Sequence, residues 1–161
     1  MIRPVQDTDL SSIIDIYNYY IRETTVSFEE QEISEKELDH RIHKVKSEGL
    51  PWLVAEKGRK LIGYAYATKW KERSAYRYSV EISVYIDQSS QGQGWGTKLY
   101  QALFTELQKL DIHLVIGGIT LPNNASIALH EKFGMEKVAH FKEVGFKFGE
   151  WRDVGYWQMK L

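Results

Sequence analysis

Two stretches near the start of the chain repeat apolar residues at helical spacing. Leu10, Ile13, Ile14, Tyr17 and Ile21 mark the buried face of one helix, which Asp7 or Thr8 can cap. Leu38, Ile42 and Val45 mark a second, and Ser34-Glu35-Lys36-Glu37 before them has the form of a capping box. Between them Thr24 to Glu30 is β-branched and aromatic without a helical stripe, which predicts a loop. Strand-like runs lie elsewhere. Ile2 to Val5 is short; Trp52 to Glu56 and Leu61 to Thr68 flank Lys57-Gly58-Arg59-Lys60 and predict a hairpin. Val80 to Ile86 alternates and then thickens at Val84-Tyr85-Ile86.

A helix follows, with Leu99, Leu103, Leu107 and Leu110 as its stripe, and then a buried strand from His113 to Ile119. Asn123 or Asn124 can cap a helix from about Ala125 to Phe133, which Gly134 would end. Val138 to Phe148 and Val154 to Leu161 predict the last strands, linked through Gly149-Glu150-Trp151-Arg152-Asp153. There is no internal repeat or linker, so residues 1–161 read as one α/β domain.

Composition narrows the chemistry. With 21 basic and 22 acidic residues the formal charge is −1, so no global field draws nucleic acid or an anionic membrane, and any anion needs a local site. The absence of cysteine removes disulfides, thiolate catalysis and cysteine metal sites, and fits a reducing cytoplasm. The first residues carry no apolar signal stretch, and no run is long enough to span a membrane. His40-x-x-His43 lacks the spacing of a helical metal pair, so no metal is expected.

The informative segment is Gln91-Gly92-Gln93-Gly94-Trp95-Gly96-Thr97, between a strand and a helix. Glycines at a helix N-terminus let unpaired N–H groups and the positive end of the helix dipole approach a phosphate. The spacing meets neither G-x-G-x-x-G nor G-x-x-x-x-G-K-[ST]. Alone, the cluster reads equally as an anion site or a flexible turn.

Gln91-x-x-Gly94-x-Gly96 resembles the pyrophosphate loop of the GNAT acetyltransferase superfamily. Glu81-Ile-Ser-Val-Tyr-Ile before it, Asn123-Asn-Ala-Ser126 and Leu129-His130-Glu131-Lys132-Phe133-Gly134 after it, and the stretch from Gly145 to Gln158 are similar to the phosphinothricin and methionine sulfoximine N-acetyltransferase branch. With Ile2-Arg3-Pro4 and Val26-Ser27-Phe28-Glu29 the resemblance spans essentially the whole chain. It implies a mixed, mostly antiparallel twisted sheet flanked by helices, with a splayed strand pair that binds acetyl-CoA. It also implies transfer of acetyl to the amino group of a small amino-acid-like acceptor, and a homodimer. Other amines (a polyamine, an aminoglycoside, a protein N-terminus) and a non-catalytic acetyl-CoA sensor are the alternatives.

Residue by residue, the resemblance implies that Val84, Tyr85 and Ile86 flank the pantetheine arm, with a backbone N–H near Val84 polarising the thioester. Gln91 to Thr97 would hold the pyrophosphate, and Asn123, Ser126 and Lys132 would border the cofactor; Asn123 reads equally as an ordinary helix cap. Glu81 matches the general base. His130 stands where many relatives carry a tyrosine that protonates the departing thiolate, and it reads equally as a packed histidine. Phe28 would cover the acceptor, while Arg73, Arg77 and Tyr78 would meet an anionic acceptor. Lys71 and Glu72 are assigned to a solvated loop, and Trp151 and Trp157 to core or a subunit interface.

Overall fold

A computed structural model describes residues 1–161 and places seven strands in one sheet. The elements in chain order are β1 (Ile2–Pro4), α1 (Leu10–Glu23), α2 (Glu35–Ser47), β2 (Trp52–Lys57), β3 (Lys60–Lys69), β4 (Ser79–Ile86), α3 (Trp95–Gln108), β5 (Leu114–Leu121), α4 (Asn124–Lys132), β6 (Glu136–Lys147) and β7 (Glu150–Lys160). Strand order is β1-β2-β3-β4-β5-β7-β6, and only β4 and β5 are parallel. This is the mixed, mostly antiparallel sheet expected.

Side chains alternate across β4, and the helices claim opposite faces. Tyr85 meets the rings of Tyr17 and Tyr20 edge-on at 5.2 Å, which puts α1 on the face shared by Glu81, Ser83 and Tyr85. On the other face Ile86 and Leu99 crowd Gly63, so α3 packs there. Leu99, Leu103 and Leu107 of α3 are fully buried, and each contributes about 1.5–3 kcal/mol by leaving water. Half of the capping box expected for α2 is made: the Ser34 hydroxyl accepts from the Glu37 N–H at 3.1 Å, while the Glu37 carboxylate pairs with Arg41. Ser34→Ala is expected to cost about 1 kcal/mol in urea unfolding, and an unchanged midpoint would mean the cap carries no stability.

Three boundaries differ from the pattern. Asp7–Asp9 forms a 3-10 turn and α1 starts at Leu10, because the buried Asp9 carboxylate is held by both guanidinium nitrogens of Arg3 at 2.8 Å and by the Gln6 N–H. Helix α3 ends at Gln108, so Leu110 leaves the stripe and is half-exposed. The final hairpin turns at Phe148-Gly149, both at positive φ (54° and 73°), and Glu150 to Asp153 belong to β7 rather than to a link. Two residues at positive φ match the twist of the flanking strands, a signal hidden by the phenylalanine at the first position.

The decisive feature lies at β4 and β5. They pair only from Ser79–Glu81 to Leu114–Ile116, although β4 runs on to Ile86 and β5 to Leu121. Beyond Glu81 they separate and leave the β5-facing edge of β4 open.

Candidate active site

The orientation of β4 follows from its hydrogen bonds. The Ser79 carbonyl accepts from the Trp70 N–H and the Asp87 N–H reaches the Ile62 carbonyl, so odd-numbered residues turn their main chain toward β3. The Tyr78 carbonyl accepts from the His113 and Leu114 N–H groups, so even-numbered ones face β5. Val84 and Ile86 therefore present main-chain groups to the gap. Tyr85 does not: its main chain faces β3 and its ring packs under α1.

At the end of β4 the chain turns through the glycine loop. Gly92 and Gly94 adopt φ of 73° and 80°, a region that penalises residues with a Cβ, and Gly94 is the residue before α3. The first N–H groups of α3 have no partner inside the helix and point out at the loop. Gln91 donates from Nε2 to the Tyr20 hydroxyl at 2.9 Å, and that hydroxyl donates to the Ile86 carbonyl at 2.5 Å, so α1 anchors the loop. Lys98 lies over the Trp95 ring at 4.4 Å and adds a cation at the helix start.

These parts border one groove of about 520 Å³. Val84 and Ile86 form one wall, Gln91, Gly92, Gly94, Trp95, Gly96 and Thr97 the end, and Asn123 and Ser126 the opposite wall. Asn123 also caps α4, accepting from the Ser126 N–H at 3.1 Å, so its two readings coexist. Gln93 and Lys132 are exposed and do not line the groove.

His130 projects from α4 into the core against Gly117 of β5. Its Nδ1 lies 2.7 Å from the Ser126 carbonyl, which only accepts, so Nδ1 carries the proton. Nε2 then accepts from the Tyr100 hydroxyl at 3.2 Å. Burial lowers the imidazole pKa and raises that of the Tyr100 hydroxyl, which keeps the pair neutral.

Glu81 lies at the fork, on the α1 face. Its Oε2 would stand 3.3 Å from a Cβ at Gly118, and the Tyr156 ring closes over the same glycine. Burial raises the carboxyl pKa, and the nearby charge of Lys71 opposes that rise. A carboxylate tuned upward at this fork is suited to take a proton from an amine. Beside it a cavity of about 470 Å³ is lined by Trp70, Lys71, Tyr76, Ile116, Phe141 and Tyr156 among others.

The loop between α1 and α2 closes on β6. Phe28 lies against Gly145 so tightly that no Cβ would fit there, and the buried Lys147 donates to the Ser27 carbonyl at 2.6 Å. Tyr17 hydrogen-bonds Ser27 and Glu29, and Arg41 holds both oxygens of Glu29.

The acetyltransferase (GNAT) domain model matches residues 2–155. The chain belongs to the GNAT acetyltransferase family. It is 42% identical over 161 residues to the phosphinothricin N-acetyltransferase of Alcaligenes faecalis, covering 99% of this chain and 82% of that protein. It is 33% identical to the L-methionine sulfoximine/L-methionine sulfone acetyltransferase of Salmonella typhimurium, covering 99% and 94%. A GNAT phosphinothricin acetyltransferase from Sinorhizobium meliloti, solved in complex with acetyl-CoA, superposes with a TM-score of 0.97 at 34% identity, covering all of this chain and 88% of that one.

As a GNAT groove, the gap offers main-chain groups for an extended amide arm and a helix start for a diphosphate, so acetyl-CoA fits the residues present. The acceptor expectations divide. Arg77 stacks on the Tyr78 ring at 4.3 Å, and both line a cavity with Val80, Leu110 and Ile112 on the α3 side, away from Glu81. The reason is parity: Tyr78 and Val80 alternate to the face opposite Glu81. Arg73 is exposed in the loop before β4. Lys71 is exposed in a loop, as assigned, and its charge partly opposes the rise in the Glu81 pKa.

Sequence reasoning also passed over Tyr20, Tyr100, Tyr156 and Gly117-Gly118. The glycine pair inside a buried strand was the available signal, since it marks close approach of other groups. The tyrosines offered none, because only the superposition of α1, α3 and β7 on the fork gives them a role. Trp157 is fully buried, whereas Trp151 is exposed.

Proposed function

We propose that this GNAT chain transfers acetyl from acetyl-CoA to the primary amine of a small amino-acid-like acceptor, in a complex holding both substrates. The observation that carries the reading is Glu81, a half-buried carboxylate with raised pKa at the fork where β4 and β5 part. The donor's diphosphate lies on Gln91 to Thr97, and its pantetheine arm runs between Val84 and Asn123–Ser126. The amine nitrogen attacks the thioester carbonyl carbon and gives its proton to Glu81. The main-chain N–H of Val84 faces the gap and takes the charge that develops on the oxygen. A C–N bond forms, the C–S bond breaks, and CoA leaves as a thiolate that then takes up a proton. His130, with both nitrogens engaged, positions α4 rather than donating that proton. Phe28 covers the acceptor from the α1–α2 loop. Among the named arginines only Arg73 remains a candidate for an acceptor anion, from its exposed loop.

The curated relatives named for phosphinothricin and for methionine sulfoximine or sulfone support acceptors of that type. A cytoplasmic location belongs to the proposal because acetyl-CoA is the donor, and no helix is long and apolar enough to cross a membrane. The deciding experiment is release of free CoA thiol from acetyl-CoA with a panel of amines, including phosphinothricin, methionine sulfone and a polyamine. Amino-acid-like amines are expected to turn over with intersecting initial-rate lines. A ping-pong pattern with a trapped acetyl-enzyme, or tight acetyl-CoA binding with no turnover of any amine, would overturn it.

The proposal includes a homodimer. Val138, Phe141, Val144, Phe146, Phe148 and Trp151 are all more than half exposed along the β6–β7 hairpin, a concentration of apolar surface that a second copy would cover. Sedimentation equilibrium should return twice the chain mass of 18.8 kDa, and a monomer at micromolar concentration would refute it.

A further inference from the structure

The α1–α2 loop that carries Phe28 is held at separate points by separate elements. Its first residues, Thr24 and Val26, border the acetyl-CoA groove and are tied back to α1. The Thr24 N–H and hydroxyl both donate to the Tyr20 carbonyl, at 3.3 and 2.8 Å, and the Val26 N–H donates to the Thr24 hydroxyl at 3.2 Å. The side chains of Ser27 and Glu29 are tied to Tyr17 of α1 and Arg41 of α2. One hydrogen bond joins the loop to the β6–β7 hairpin, and Lys147 donates it to the Ser27 carbonyl at 2.6 Å.

Lys147 is 2% exposed, and a neutral carbonyl is its hydrogen-bond partner where a buried ammonium would ordinarily have a carboxylate. Desolvation cancels most of the attraction in such a pair, so the bond adds little stability. What it does fix is the place of the residue after Ser27. The Phe28 ring occupies the space that a Cβ at Gly145 would fill, two positions before Lys147 on the same face of β6. Gly145 pairs with Arg152, which shares a face of β7 with Tyr156, and the Tyr156 ring lies beside the Glu81 carboxylate. The Phe28 ring is therefore on the Glu81 side of the sheet. We propose that Lys147 is a positioning residue for acetyl transfer, holding the Ser27 carbonyl so that Phe28 is seated over the acceptor, and touching neither substrate itself. The proposal rests on the reading of Phe28 as the acceptor's cover.

The test is a double-mutant cycle between Lys147 and Phe28, read by thiol release with an amine that the wild type turns over and by calorimetry with acetyl-CoA. Lys147→Met keeps the length of the side chain and removes its charge and its donor. The acceptor KM should rise about five- to tenfold, the usual cost of a misplaced positioning group. Acetyl-CoA affinity should stay within about twofold, because Thr24 and Val26 keep their own ties to α1. Phe28→Ala should raise the same KM, and adding Lys147→Met to it should change that value by less than about twofold, since the lysine then has no ring to seat. A lysine that only supports the fold would instead add its effect in full. Additive effects, an unchanged acceptor KM in Lys147→Met, or an equal loss of acetyl-CoA affinity overturns the proposal and leaves acetyl transfer standing. If Lys147→Met melts below the assay temperature, Lys147→Gln carries the same cycle, and collapse of both makes the lysine a structural group and overturns the proposal. An unchanged KM in Phe28→Ala removes the cover and the proposal with it. No thiol release by the wild type with any amine removes the acetyl-transfer reading itself, and this role for Lys147 with it.

Discussion

Glu81→Gln is expected to lower kcat by about 10²–10⁴-fold, the usual contribution of a general base, while leaving the affinity for acetyl-CoA unchanged. Its melting temperature at neutral pH should rise. The carboxyl pKa is raised in the folded chain, chiefly by burial, above the ordinary value of 4.5. The folded state therefore binds the proton more tightly than the unfolded state. The stability this adds is fully present below the ordinary carboxylate pKa and is lost as pH rises through the folded value. At neutral pH the wild type carries an ionised carboxylate in a poorly solvated place, and glutamine removes that cost. Thermal melts from pH 4 to 8 should show the difference between variant and wild type growing toward neutrality. The wild-type kcat should fall in the opposite direction, toward acid, as Glu81 takes up a proton and stops acting as a base. A variant that keeps its rate would dismiss Glu81 as the base, whatever its stability. One that loses both rate and stability would mean the carboxylate is a structural group.

Gly117→Ala should lower both stability and acetyl-CoA affinity. A Cβ there would stand 2.6 Å from Cδ2 and 2.7 Å from Nε2 of His130. The imidazole cannot retreat, because the Ser126 carbonyl and the Tyr100 hydroxyl hold its two nitrogens and it is buried. Overpacking of this kind costs about 1–3 kcal/mol. Relief requires α4 to move off β5, and α4 carries the Asn123–Ser126 wall of the acetyl-CoA groove. Weaker acetyl-CoA binding by calorimetry should therefore accompany the lower melting temperature. A stable variant with normal acetyl-CoA affinity would show that the His130 contacts do not set the groove. Gly118→Ala, whose Cβ would meet Tyr156 at 3.0 Å and Glu81 at 3.3 Å, should instead spare acetyl-CoA binding and affect the acceptor.

Much of the framework was legible in the residues. Helical spacing located α1 and α2, the Ser34 cap is made as its spacing implied, and Asn123 and Gly134 bound α4 where their chemistry placed them. These are local properties: a cap, a stripe or a positive-φ glycine is set within one or two turns of chain. The acceptor side was read less well. Arg77 and Tyr78 precede Glu81 in sequence, but the pleat sends Tyr78 to the opposite face, and nearness along a strand says nothing about sharing a face. Lys71 is the exposed loop residue the sequence implied, and only its charge effect on Glu81 depends on how that loop folds back over the sheet.

By itself the sequence determined the order of elements, the glycine loop poised at a helix start, and, through its resemblance, the family and the acetyl donor. Each rests on short-range pattern, where backbone geometry translates residues directly into structure. Only the tertiary structure decided what meets Glu81. The fork between β4 and β5, the Tyr156 ring over Gly118, the His130–Tyr100 pair and the aromatic cavity bring together residues from distant parts of the chain. Their closeness depends on strand order and on the face each side chain takes, which no local spacing records. The glycine loop is a continuous segment, whereas the cavity beside Glu81 is assembled from β4, β5, β6, β7 and the loop before β4.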